Sequence, residues 1–384
     1  MLGFFETGFS NLTWANILLI CVGLIFIYLA IAKKWEPYEL LPIGVGLILA
    51  NVPNTGLLVQ PGETGGEYGA AGLLGIFIEF TLLRYTVLPL LIFLGLGAMT
   101  DFGPLIANPR LFLLGAAAQI GIVIAFFGAL ALGHFGIADF GLKEAAAIGI
   151  IGGADGPTTI YLTSQLAPEI MGITAVAAYS YMAMVAIIQP PIIRALTSKK
   201  ERQTYMKPQL RAVSKIEKIL FPIISMILVI LLVPRSAPLV GMFMFGNLLR
   251  ESGVVERLSN VAQNALMNLT TVILMLCIGA SMPGELVMRP ETLMVLGLGL
   301  VAFATGTAGG VLMGKVMKLI SKEPFNPIIG AAGVSAVPMA ARVAQHMGQK
   351  ENPRNFLLMH AMGPNVAGVI GSAVVAGVFL SILG

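Results

Sequence analysis

Residues 149–163 read GIIGGADGPTTIYLT, and this stretch decides how the chain is folded. One carboxylate, Asp155, stands among Gly152, Gly153, Gly156 and Pro157, with Thr158 and Thr159 following. Glycine loosens an α-helix and an internal proline breaks it. The stretch therefore reads as a helix interrupted beside a charge. Around it the chain is apolar: of 384 residues, 57% are hydrophobic and 11% charged, and mean hydropathy is +0.89. A soluble domain carries about 25% charged residues. With apolar runs of spanning length, this is the composition of an all-α polytopic integral membrane protein. A transmembrane barrel is excluded, because no alternating strands of about ten residues occur.

Full-length spans are expected at 12–32, 82–100, 108–132, 171–197, 216–234, 262–282, 291–320 and 355–383. Shorter or interrupted apolar pieces fall at 39–58, 68–80, 143–166, 236–250 and 324–346. The one long polar stretch, residues 194–218, is rich in Lys and Arg, which places it on the cytoplasmic side. Lys33 and Lys34 put the first loop on that side too, and the N-terminus outside. The net charge of +4 reflects this loop bias rather than nucleic-acid binding. The N-terminus has no basic region and no small-residue cleavage site, so no signal peptide is expected. Cys21 and Cys277 lie in apolar runs and imply no disulfide. His134, His346 and His360 have no partner at metal-ligand spacing.

Three pairs of segments recur in the same order: 94–115 with 276–297, 41–53 with 237–249, and 150–158 with 328–336. Pro42 pairs with Pro238, and Asn51 with Asn247. One span, 216–234, separates the copies, so the second starts on the opposite face. The expected organisation is an N-terminal span (1–37) and a first repeat (38–197). A basic loop with a linking span (198–234) and an inverted second repeat (235–384) follow. Transporters built this way bind ions on broken helices at the repeat interface.

A carboxylate in the bilayer core costs about 2.5–3.5 kcal/mol on insertion scales. A bound cation, a proton or an arginine would offset it. Sodium wants hard oxygen ligands, which Asp155, the two threonines and freed carbonyls supply. Alternatively, Asp155 caps the half-helix that follows. The matching broken element, residues 326–348, holds Asn326, Gly330, Ser335, Pro338 and Arg342. Arg342 has no acid within four residues. It either pairs with Asp155, holds an anionic substrate, or reaches toward the interface. Tyr179 and Tyr181 lie in a long apolar span. Asp101, Glu79, Arg84 and Glu285 are charges near span ends. The tetrapeptide VMKL (316–319) resembles a biotinylation site but ends an apolar helix, so no biotin is attached there. There is no phosphate-binding P-loop.

The segments GGADGPTTIYLTSQLAPE, AAYSYMAMVAIIQPP, NPIIGAAGVSAVPMAARVAQ and AIAKKWEPYELLPIGVGLILANVP together carry a family likeness. Over nearly its whole length the chain resembles the β-subunit of the sodium-pumping biotin-dependent decarboxylases, which include oxaloacetate, methylmalonyl-CoA, glutaconyl-CoA and malonate systems. The resemblance implies decarboxylation of carboxybiotin, with proton consumption and outward movement of Na+. The biotin would ride on a partner biotin carrier subunit loaded by a carboxyltransferase subunit. A small membrane subunit, a homotrimeric assembly and a bacterial inner-membrane location are implied as well. So is motion of one part of each protomer against a scaffold. By the same likeness Asp155 is the sodium and proton carboxylate, Tyr181 delivers the proton, Asn326 and Ser335 help bind sodium, and Arg342 orients carboxybiotin. Gly152, Gly153, Gly156, Pro157 and Gly330 shape the supporting backbone. The short loop at 54–70 resembles the acyl-CoA systems. The rival expectations are a sodium-coupled secondary transporter without decarboxylase activity and a non-catalytic scaffold.

Overall fold

Capping residues set the helix starts in the computed structural model, which describes residues 7–60, 71–207, 211–282, 284 and 289–384. Among these the chain is helical, with no β-strand. Helix α1 (Trp14–Ala32) opens on a reciprocal capping box between Thr13 and Asn16. Helix α2 (Pro37–Asn51) starts on a proline, which costs nothing where the N–H has no partner anyway. Helices α3 (Leu73–Arg84) and α4 (Val87–Met99) meet at 69°. Between them Thr86 takes a left-handed φ of 48°. The apolar stretch Pro109–His134 forms α5. Next come α6 (Leu142–Gly149) and α7 (Gly156–Leu166). Helices α8 (Pro168–Ala183) and α9 (Val185–Leu196) meet at 66°, so the expected span 171–197 is bent, turning at Met184.

The second half runs through α10 (Lys215–Leu232), α11 (Ala237–Ser252), α12 (Glu256–Ala280), α13 (Pro290–Ile320), α14 (Met339–Glu351) and α15 (Leu358–Leu383). Helices α1, α5, α12, α13 and α15 are each long and apolar enough to cross a membrane, and the two bent pairs would add two more. The protein is an all-α polytopic membrane protein. Glu285 and part of the short loop at 54–70 lie outside the described residues.

Two packing groups form. In one, α2 lies against α1 and α12, and α4 lies against α11 and α12. In the other, α13 is the hub, touching α5, α8, α9 and the turn at Pro327–Gly333, with α15 closing on α5 and that turn. Glycines allow backbone-close contact in the first group. A Cβ on Gly46 would meet Leu276 O at 2.2 Å, as one on Gly246 would meet Leu94 O at 2.0 Å. Likewise a Cβ on Gly279 would meet Ile43 O at 2.1 Å, and one on Gly97 would meet Phe243 O at 1.9 Å. Asn51 and Asn247, paired in the sequence, both cap a neighbouring helix end. Asn51 donates to Met282 O at 3.0 Å and Asn247 to Thr100 O at 2.7 Å. The glycine contacts use a different register. In the sequence pairing Gly246 stands opposite Ala50, whereas in the packing it matches Gly46, one helical turn earlier.

Candidate functional site

The interruption in GIIGGADGPTTIYLT is a 3-10 turn over Ile150–Gly153, followed by Ala154 in the left-handed region at φ 55°. The turn and the kink end α6 and let α7 start in a new direction. Asp155 is the N-cap of α7, accepting from Thr158 N–H at 3.1 Å, and Pro157 lies in the first turn. The sequence left open whether Asp155 caps or binds, and its cap is real. Yet the cap engages only one carboxylate oxygen. The other accepts from the Ser372 hydroxyl at 2.7 Å.

Ser372 comes from α15 and links the two broken elements. Ser335 Oγ lies 3.2 Å from Ser372 Oγ, giving a chain Ser335–Ser372–Asp155. Ser335 N–H also donates to Gly153 O at 2.9 Å, so the backbones of the two breaks touch. Asp155 is 3% exposed. Among the described residues no lysine, arginine or histidine forms an ion pair with it. Its charge is met by two hydrogen bonds and the N-terminus of α7.

Buried amides hold the carbonyls that the second break frees, as membrane burial requires. Asn365 donates to Ala332 O at 3.0 Å and Val334 O at 2.7 Å, and Gln189 donates to Ala331 O at 2.9 Å. The glycines set the approach of neighbours. A Cβ on Gly152 would lie 2.4 Å from Gly121 C, and one on Gly330 would lie 2.0 Å from Gly310 O. A Cβ on Gly156 would lie 2.3 Å from Tyr179 Cζ, so that ring sits flat on the start of α7.

Asp155 opens onto a cavity of about 110 Å³ between the two packing groups. Asp155, Gly156, Pro157, Tyr179 and Ser335 line it from one side. Glu39, Leu96, Met267, Thr271 and Met275 line it from the other.

The remaining expected residues lie elsewhere. Asn326 is wholly engaged: it donates to Arg202 O at 2.9 Å and Thr204 O at 3.0 Å, and accepts from Ile328 N–H at 3.1 Å. Tyr181 donates to Leu296 O on α13, and its ring lies against Gly299. Arg342 is exposed near the start of α14 and makes no ion pair among the described residues. The charge that feels it is Glu36, just before α2. Burial pushes the Glu36 carboxyl up, and the Arg342 guanidinium opposes this. Sequence reading missed Ser372 and Glu39, and of the two tyrosines it singled out it gave the role to Tyr181, whereas Tyr179 lines the cavity.

The family described as "Na+-transporting oxaloacetate decarboxylase beta subunit" matches residues 15–383. The chain belongs to this family. The methylmalonyl-CoA decarboxylase subunit beta of Propionigenium modestum is 56% identical over 99% of this chain and 98% of the relative. The glutaconyl-CoA decarboxylase subunit beta of Acidaminococcus fermentans is 54% identical over 99% of this chain and 96% of the relative. The oxaloacetate decarboxylase beta chain 2 of Salmonella typhi is 52% identical over 97% of this chain and 96% of the relative. The site at Asp155 therefore lies in a β-subunit of the Na+-transporting decarboxylases.

Proposed function

We propose that this β-subunit decarboxylates carboxybiotin presented by a partner biotin carrier, and couples this to outward sodium transport with consumption of a proton. One observation carries the reading. A buried carboxylate with no ion-pair partner among the described residues sits at a helix break and is joined by hydroxyls to a second break. Sodium, the cargo, fits that oxygen set: the Asp155 carboxylate and the buried hydroxyls of Ser372, Ser335 and Thr158. A cation there would replace the counter-charge that the protein lacks.

Carboxybiotin would supply a leaving CO₂ and a nitrogen that takes up a proton. Arg342 suits its carboxylate, being an exposed guanidinium with no ion pair among the described residues. A proton reaching Asp155 would neutralise the carboxylate and lower its hold on sodium. Tyr181 can give up its proton only after release from Leu296 O. The biotin carrier, a carboxyltransferase, a small membrane subunit and a homotrimer complete this reading, in a bacterial inner membrane with the basic segment 194–218 cytoplasmic.

The two halves read as an inverted repeat. The support is the exchange of partners, in which the first helix of each half packs on the second helix of the other. The short loop near residue 54 fits an acyl-CoA system. The alignment with the oxaloacetate relative runs over 417 positions, longer than this chain, whereas that with the glutaconyl-CoA relative runs over 379.

The test is coupled measurement in proteoliposomes holding the whole complex. Carboxylated carrier is supplied, and CO₂ release and radioactive sodium uptake are followed together. Sodium-dependent CO₂ release with coupled uptake is expected, both lost in Asp155→Asn. Sodium movement independent of carboxybiotin would make this a secondary transporter. Full turnover in the Asp155→Asn complex would leave a scaffold.

A further inference from the structure

We propose that Glu36 is a positioning residue for Arg342: it holds the guanidinium from across the boundary between the packing groups, and the carboxyl group of arriving carboxybiotin takes its place. The inference rests on the reading of Arg342 as the group that receives this carboxylate, and adds the counter-charge that keeps the place until the substrate comes.

The backbone supplies the first observation. Glu36 is the N-cap of α2 and is left-handed, with φ 30° and ψ 64°. Lys34, two residues earlier, is left-handed as well, with φ 55°. Residues with a Cβ resist this region, and a residue before proline favours extended backbone. Such strain persists only where the surroundings over-determine it. An apolar cluster of Ala30, Leu40 and Ala183, with Leu29 and Trp35 packed against it, braces the turn. Ala183 ends α8, so the turn ahead of α2 rests on the other packing group.

The Glu36 side chain supplies the second. An acid at an N-cap ordinarily accepts from the N–H groups of its own helix. The Glu36 carbonyl accepts from the Glu39 and Leu40 N–H groups at 3.0 Å each, but its carboxylate makes no capping bond. It is left for another partner, and the charge acting on it is that of Arg342.

Arg342 approaches from the second packing group. Helix α14 packs on the turn at Pro327–Gly333 and on α9 and α15. Arg342 lies in its first turn, with its N–H bonded to Pro338 O at 3.0 Å. Val337, just ahead of α14, and Glu39, in the first turn of α2, line the same cavity. The starts of the two helices therefore flank one space. Among the described residues neither Glu36 nor Arg342 is in an ion pair at contact distance. A contact pair would close the guanidinium fork. A counter-charge set further off leaves it open to the two oxygens of a carboxylate. Glu36 is half-buried, so salt screens this attraction less than one between surface charges. The same charge repels small free anions. A carboxyl group brought by a docked carrier arrives at high effective concentration and displaces it.

The experiment follows CO₂ release by the whole complex at varied concentrations of carboxylated carrier, with rates taken per assembled complex and bicarbonate added as a small competing anion. Glu36→Gln is expected to lower the carrier concentration for half-maximal rate about 5-fold. It should also make the rate sensitive to bicarbonate levels that wild type tolerates. Glu36→Asp, which keeps the charge, should keep the wild-type behaviour. In an Arg342→Gln background, Glu36→Gln should have no further effect on either readout. Wild-type carrier dependence and bicarbonate tolerance in Glu36→Gln would overturn the proposal. So would an equal shift with and without Arg342, since a role in bracing the turn needs no guanidinium. Unchanged carrier dependence in Arg342→Gln alone would instead overturn the reading of Arg342 on which the proposal rests.

Discussion

At the scale of single residues, the site is a short line of oxygens. Ser372 is its middle member, donating to Asp155 while lying within reach of Ser335. Truncation in Ser372→Ala leaves a carboxylate oxygen short of a donor. A hydrogen bond to a charged group is worth about 1.5–3 kcal/mol. We expect the sodium concentration for half-maximal CO₂ release to shift about 10- to 100-fold, at unchanged yield of assembled complex. An unchanged sodium dependence would mean that Ser372 only packs α15. Asp155 was legible because a charge beside Gly-Gly and Gly-Pro has few bland explanations. Ser372 was not, since a serine in a run of small residues reads as helix packing. Glu39 was hidden differently: an acid just after Pro37 looks like an ordinary first-turn residue. Arg342 shows the reverse. Its isolation from acids in the sequence was correctly read, but the group nearest it in charge is Glu36, which no local spacing could reveal.

At the scale of elements, two helices are broken on purpose, and the breaks are held by donors from intact neighbours. Asn365 and Gln189 lie on helices that cross the second break. Close backbone contact is the other holding device. Gly330 and Gly310 face each other so nearly that a Cβ on either would sit 2.0 Å from the other's carbonyl oxygen. Gly330→Ala should therefore push α13 from the turn at Pro327–Gly333. Overpacking of this kind costs about 1–3 kcal/mol, read as a lower unfolding temperature of the solubilised complex. A stability equal to wild type would show that the turn has room to yield. Positions of the breaks were legible from glycine and proline. Their carriers were not, because a buried amide donates to whatever carbonyl the fold brings near. The bend at Met184 was equally hidden: no glycine or proline marks it, and the run 171–197 reads as one span. The asparagine caps keep the register of the sequence pairing, whereas the glycine contacts run one turn away from it, because backbone approach is set by glycines.

For the whole molecule, a basic segment straps the ends of several helices together. Arg202 pairs with Glu351 at 2.9 Å, and Lys218 with Asp101 at 3.2 Å. Glu201 lies 3.6 Å from Lys315 and 3.5 Å from Lys318, and closes a capping box with Ser198. Burial pushes the Glu201 carboxyl up, but Ser198 and the two lysines outweigh this and leave it below its ordinary 4.5. A carboxylate depressed on folding stabilises above its unfolded value and loses that contribution as pH falls through the folded one. Proteolytic nicking within 199–207 should thus accelerate as pH drops below 4.5, and Glu201→Gln should show the same acceleration at neutral pH. Equal nicking rates would leave Asn326 and Asn355, which donate to Thr204 O at 3.0 and 2.8 Å, as what holds the strap. The charge of this segment was plain in the sequence. Its role as a strap was not, since its partners are distant in the chain.

The cavity wall opposite Asp155 has a mechanical consequence. Apart from Glu39 it consists of Ile92, Leu96, Met267, Met275 and a threonine already satisfied by its own helix. Thioethers repack with little loss. Along that surface the Asp155 break has nothing to unlatch: a displacement trades one set of dispersion contacts for another of similar depth. That stretch of wall would yield to sliding over most of its area, with the resistance concentrated at one acidic side chain.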